Sequence, residues 1–95
     1  MSLQELNNYK SRILSIAAQF GARNVRVFGS VAREEEDPNS DIDFLVEMEA
    51  GKTIFDRIGL KLELQKLLGK KVDVISDKAI KGRIKENILH DVVRL

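Results

Sequence analysis

Two groups of residues in this chain are of a type and spacing to do chemistry together. Gly29 and Ser30 close one apolar run, and ten residues later Asp41 and Asp43 open another, Asp41-Ile42-Asp43-Phe44-Leu45-Val46. That second run reads as a β-strand. Residues two apart on a strand share a face, with Cα atoms about 6.5 Å apart. Two carboxylates so placed repel when both are ionised. A hard divalent cation removes the conflict, and Mg²⁺ prefers one or two carboxylates with water and phosphate oxygens filling its shell. A third acid, Asp73, lies in a later strand-like run from Lys71 to Ser76, on the face opposite Val72 and Val74. With neighbouring strands, the three aspartates can converge on one point.

The Gly29-Ser30 turn supplies the complement. Glycine lets backbone approach a phosphate closely, and the N–H groups of a following helical turn are free to meet it. Ser30 adds a hydroxyl, and Arg33, about one turn on, can bring a cation to the same phosphates. Phosphate donors on one side and carboxylate-held metal on the other suit a metal–nucleoside triphosphate. One or two Mg²⁺ ions could then stabilise in-line attack by a hydroxyl on a phosphoryl group.

Positioning these groups requires a scaffold, and its elements are legible in order. Ser2 with Glu5 forms a capping box that opens a helix at about Leu3. Leu6, Tyr9, Ile13, Ile16, Ala17 and Phe20 recur at helical spacing and predict one continuous helix, ended by Gly21. Asn24 to Phe28 reads as a first strand, and Ser30 as the cap of a short turn through Arg33. The second strand, about Asp41 to Glu47, alternates, with Ile42, Phe44 and Val46 inward and Asp41, Asp43 and Leu45 on the other face. A helix from about Thr53 to Leu68 carries Phe55, Ile58, Leu62 and Leu67 as a buried stripe, widened by Leu60, Leu64 and Leu68. Gly59 inside it costs roughly 1 kcal/mol relative to alanine with no local reason. Gly69 ends this helix, the third strand follows, and the helix between the two strands predicts that they run parallel. Ser76 or Asp77 caps a last helix bearing Ile80, Ile84 and Ile88. Residues 92–95 fit either a short edge strand or a helix end. The sum is an α/β (α+β) fold, a small mixed sheet of three to four strands with helices mainly on one face.

Composition bounds the rest. The 95 residues suit one domain, 1–95, with a modest core. So small a domain cannot wall off a deep cleft for two substrates, so an acceptor should bring its own surface, or a second copy of the chain should supply it. A net charge of +1 gives no global reason to expect nucleic-acid binding. There are no cysteines and one histidine, His90, which excludes thiolate and His-rich metal sites. No apolar run approaches a membrane span, so the expected location is cytoplasmic.

The motifs GSVAR and SDIDFLV, the leucine-rich helix ending LLGKKVDVIS, and the tail ENILHDVVRL together resemble the polymerase-β-type nucleotidyltransferase superfamily. They are most similar to its minimal nucleotidyltransferases, the MntA-like antitoxin group, over nearly the whole chain. The resemblance implies the nucleotidyltransferase fold, with Asp41 and Asp43 as Mg²⁺ ligands and Asp73 as a third ligand or as base. It implies Gly29 and Ser30 on the phosphates of ATP. The family often has glycine after the arginine of its Gly-Ser-x-x-Arg segment, where this chain has Glu34 followed by three more acids. The resemblance further implies transfer of AMP from ATP to a hydroxyl of a HEPN-type toxin partner. A small-molecule acceptor such as an aminoglycoside, or a non-catalytic partner-binding module on the same fold, is the alternative.

Overall fold

The computed structural model describes all 95 residues. Four strands form one mixed sheet in the order β3-β2-β1-β4. They are β1 (Ala22–Phe28), β2 (Ile42–Met48), β3 (Val72–Ser76) and β4 (Val93–Arg94). β1 runs antiparallel to β2 and to β4, and β2 runs parallel to β3. The parallel pair is joined by α4 (Ile54–Leu68), the crossover helix that the sequence predicts. The tail resolves as an edge strand, with Val93 opposite Val27 and Arg94 opposite Arg26.

The main core lies on one face of the sheet. Val27, Ile42, Phe44, Val46, Val72 and Val74 meet Ile13 and Ala17 of α2 (Lys10–Gln19) and Leu60, Leu64 and Leu68 of α4. Each fully buried leucine contributes roughly 2–3 kcal/mol by leaving water. The expected buried stripe of α4 is inverted. Leu60, Leu64 and Leu68 face the sheet, while Ile54, Phe55, Ile58 and Leu62 are exposed and Leu67 is half-buried. Apolar residues surround this helix, so local periodicity leaves its facing side open, and docking on the sheet selects the i, i+4, i+8 row.

Other local expectations are corrected in ways that have plain causes. The single first helix is two, α1 (Leu3–Asn7) and α2, because Asn7 and Asn8 are weak helix formers and the chain tightens there. The Tyr9 N–H donates to Leu6 at 2.9 Å and the Asn8 N–H to Glu5 at 3.1 Å, both three-residue bonds. The Ser2–Glu5 capping box forms as expected, and its hydrogen bonds hold the Glu5 carboxyl below its usual range. β1 begins two residues earlier than expected, because a bulge at Asn24, with φ of 51°, lets the strand bend and continue. The last helix is split. Ser76 caps only a 3₁₀ turn, Asp77–Ala79, and α5 (Gly82–Asp91) starts afresh behind Gly82.

The second face of the sheet is not bare. Leu45, expected to be exposed beside the acids, is fully buried, as is Ile80 nearly so, outside the main core. The 3₁₀ turn lies against β2, and α5 lies against β1 and α3 (Gly29–Ala32). Gly59 also acquires its reason. A Cβ there would lie 2.5 Å from the Phe20 ring, so only glycine lets that ring seat flat on α4.

Candidate active site

Asp43 and Asp73 are direct partners in the parallel register of β2 and β3, and Asp41 precedes β2 by one residue. Phe28, the last residue of β1, stands opposite Asp43 on the other side. The chain then turns at Gly29. Three strand ends therefore bring the acids and the glycine turn to one place on the open face. The apolar neighbours Ile42, Phe44, Val72 and Val74 point into the core and fix the strands, so the acids point away from it.

Gly29 has φ of +77°, a left-handed conformation that side-chain-bearing residues rarely adopt. A Cβ at this position would collide with the Asp43 carboxylate. The glycine turn and the carboxylate are thus packed against each other, with the space of the missing side chain taken by the acid. Ser30 lies inside the first turn of α3 rather than capping it, and its hydroxyl makes no hydrogen bond within the chain.

The Asp43 carboxyl is pushed up to about 6 from an ordinary 3.8. Partial burial is the largest cause, followed by the negative charges of Asp73 and then Asp41, with Arg33 opposing them. In this conformation the three carboxylates do not close into a ready-made cage of ligands. Their chemistry nonetheless fits a hard cation. Three carboxylates supply oxygen donors, and a carboxyl raised by burial and by its acidic neighbours makes no ion pair of its own.

Arg33 is ion-paired at the rim of the site, one of its partners being Glu35 of the acidic loop. Its Nε donates to Glu35 at 3.1 Å and its Nη1 to Asp91 at 3.4 Å, which holds the guanidinium charge above its ordinary range and at the rim. Glu34, where the family pattern favours glycine, takes φ of 58°. His90 is a surface residue whose ring lies beside the Asp91 carboxylate.

The structure adds wall residues to which the sequence does not point. Phe28, Asn87, Ile88 and Asp91 line a cavity of about 270 Å³ together with Gly29 and Arg33. Three of them lie on α5, and only the docking of that helix over β1 brings them near the glycine turn.

A family model described as a nucleotidyltransferase domain matches residues 10–95. The chain belongs to the nucleotidyltransferase domain family. This nucleotidyltransferase is 41% identical over 88 residues to a Methanocaldococcus jannaschii protein named as a protein adenylyltransferase, MJ0435, covering 93% of this chain and 95% of that protein. It is similar to a solved structure described as a minimal nucleotidyltransferase, with a TM-score of 0.88 and 43% identity, covering 100% of this chain and 97% of that one. It also shares its fold with one chain of a solved structure described as a tri-AMPylated Shewanella oneidensis HEPN toxin in complex with MNT antitoxin. That likeness has a TM-score of 0.71 at 18% identity, over 97% of this chain and 71% of the other. The fold and the enzyme class expected from the sequence are those found.

Proposed function

We propose that this nucleotidyltransferase transfers AMP from ATP to a hydroxyl of a partner protein, and that the partner is a HEPN-type toxin which it neutralises in the cytoplasm. The observation that carries the reading is the register of Asp43 with Asp73 beside a glycine turn that is packed on Asp43 itself. The similarity to a named protein adenylyltransferase over nearly both full lengths supports AMP and a protein acceptor. The shared fold with a toxin–antitoxin complex supports the class of partner.

In this reading Gly29 and Ser30 hold the phosphates, through backbone approach and the free Ser30 hydroxyl. Arg33 stands beside them at the rim, its charge met by Glu35 and Asp91. Asp41 and Asp43, with Asp73, would hold Mg²⁺, which when bound neutralises the charge that builds on the phosphates. The acceptor oxygen attacks the α-phosphorus of ATP. The bond from that phosphorus to the bridging oxygen breaks and pyrophosphate leaves. Asp73, the most open of the acids on the strands, takes the hydroxyl proton.

Incubation with labelled ATP, Mg²⁺ and the protein encoded beside this one tests the proposal. Label should appear on that protein and vanish with Asp41→Asn or Asp43→Asn. Tight binding of the two proteins without label transfer, unaffected by either substitution, would overturn it in favour of a non-catalytic module.

A further inference from the structure

α5 is an amphipathic helix with no residue fully buried. Ile84, Asn87, Ile88 and Asp91 stand at i, i+3, i+4 and i+7 and so share one face. The last three line the cavity that begins at Gly29. Ile84, one turn further along that face, is 65% exposed, and Ile88 is half-buried. The Asn87 side chain is exposed to water and has no hydrogen-bond partner within the chain. The charged lining residues, Arg33 and Asp91, are paired with each other at 3.4 Å. The wall facing the cavity is therefore uncharged in sum, with apolar side chains and one unpaired amide.

From this geometry we infer that the space between α5 and Phe28 is the nucleobase pocket of the donor, and that Asn87 selects adenine. The inference rests on the nucleotidyltransferase reading of Gly29 and the aspartates. Phosphates belong on the Gly29–Ser30 side, away from the Asp91 carboxylate. The uncharged end of the same molecule needs a flat apolar wall with one polar edge, and Ile88 and Phe28 with Asn87 provide it, with exposed Ile84 next along the same helix face. The cavity's 270 Å³ falls just below the roughly 300–1,000 Å³ that small-molecule pockets span, a size for a base and not for a second large substrate. An asparagine amide offers one donor and one acceptor side by side. Adenine presents the matching pair on its N6/N7 edge, whereas guanine presents two acceptors there. Asn87 is thus a specificity residue.

The test is calorimetric binding of ATP, GTP and inorganic tripolyphosphate, each with Mg²⁺, to the full chain and to Asn87→Ala and Ile84→Ser. Both positions are exposed, so both variants should fold, which circular dichroism checks. ATP should bind the parent protein more tightly than GTP or tripolyphosphate. Asn87→Ala should cost ATP about tenfold, the scale of one hydrogen-bonded edge, and remove the preference over GTP. Ile84→Ser should weaken ATP and GTP alike and leave tripolyphosphate within twofold. Unchanged ATP binding in both variants, or tripolyphosphate binding as tightly as ATP, would refute the base pocket while leaving the phosphate site standing. If the parent protein binds neither ATP nor tripolyphosphate, the underlying nucleotidyltransferase reading of the site falls, and the pocket with it.

Discussion

Asp43→Asn should make the metal-free protein more stable while abolishing transfer. Asp43 is held between a buried strand, the Gly29 turn and the charges of Asp73 and Asp41, which raise its carboxyl from 3.8 to about 6. Ionising it in the folded state therefore costs about 3 kcal/mol relative to the unfolded chain. The side chain keeps some contact with water, and screening reduces the expected figure to about 1–2 kcal/mol. Asparagine has nearly the same shape, carries no charge and offers an N–H₂ donor to the neighbouring acids. For a domain of this size that gain corresponds to roughly 5–10 °C in Tm. The pH dependence has a definite sign. A raised carboxyl favours the folded state when protonated, so the parent protein loses stability as pH rises from about 4 through about 6. The advantage of Asp43→Asn should be full above pH 6 and fade towards pH 4. The assay is thermal unfolding of both proteins in EDTA across that range, repeated with Mg²⁺ in excess. Mg²⁺ should raise the Tm of the parent protein and not that of the variant. Equal Tm values at pH 8 in EDTA, or an advantage that is the same at pH 4.5 and pH 8, would refute the picture of a strained carboxylate awaiting a cation.

Further consequences follow from single positions. Gly29→Ala combines a left-handed backbone, costing about 1–2 kcal/mol for a side-chain-bearing residue, with a Cβ driven into Asp43. It should lower stability on denaturant unfolding and remove label transfer, and an alanine variant with normal transfer would contradict the packing described. Glu34→Gly should stabilise by about 1 kcal/mol in the same measurement, because φ of 58° is free for glycine and strained for glutamate. Gly59→Ala sets helix propensity, about 1 kcal/mol in favour of alanine, against a clash with Phe20. The clash should win, for a net loss of about 1 kcal/mol. In a Phe20→Ala background the same change should become stabilising, a sign reversal that a double-mutant cycle reads directly.

Much of the chemistry is legible without coordinates. The types and spacing of Gly29, Ser30, Asp41 and Asp43 are legible locally, since a strand's alternation predicts two carboxylates on one face, although the strand itself begins one residue after Asp41. The capping box at Ser2 and the glycine stops at 21 and 69 are local for the same reason: each depends on hydrogen bonds or backbone freedom within a few residues. The strand identity of 72–76 and the parallel expectation for it also come from sequence, through the helix that must connect it to β2.

What only the tertiary structure decides are the facts that need two distant segments at once. That Asp73 stands opposite Asp43, and not one register step away, is set by inter-strand hydrogen bonding. Which side of α4 is core depends on how an all-round apolar helix settles on the sheet, so Phe55 is exposed and Leu60 is not. Leu45 is buried because the 3₁₀ turn reaches back over β2, and Gly59 is explained only by a ring thirty-nine residues earlier in the chain. Asn87 belongs to the same class. Its neighbours in sequence mark it as one polar residue on an amphipathic helix, and nothing local states that α5 crosses β1 beside Gly29. Periodicity assigns a side chain to a face of its own element, and only packing determines what that face meets.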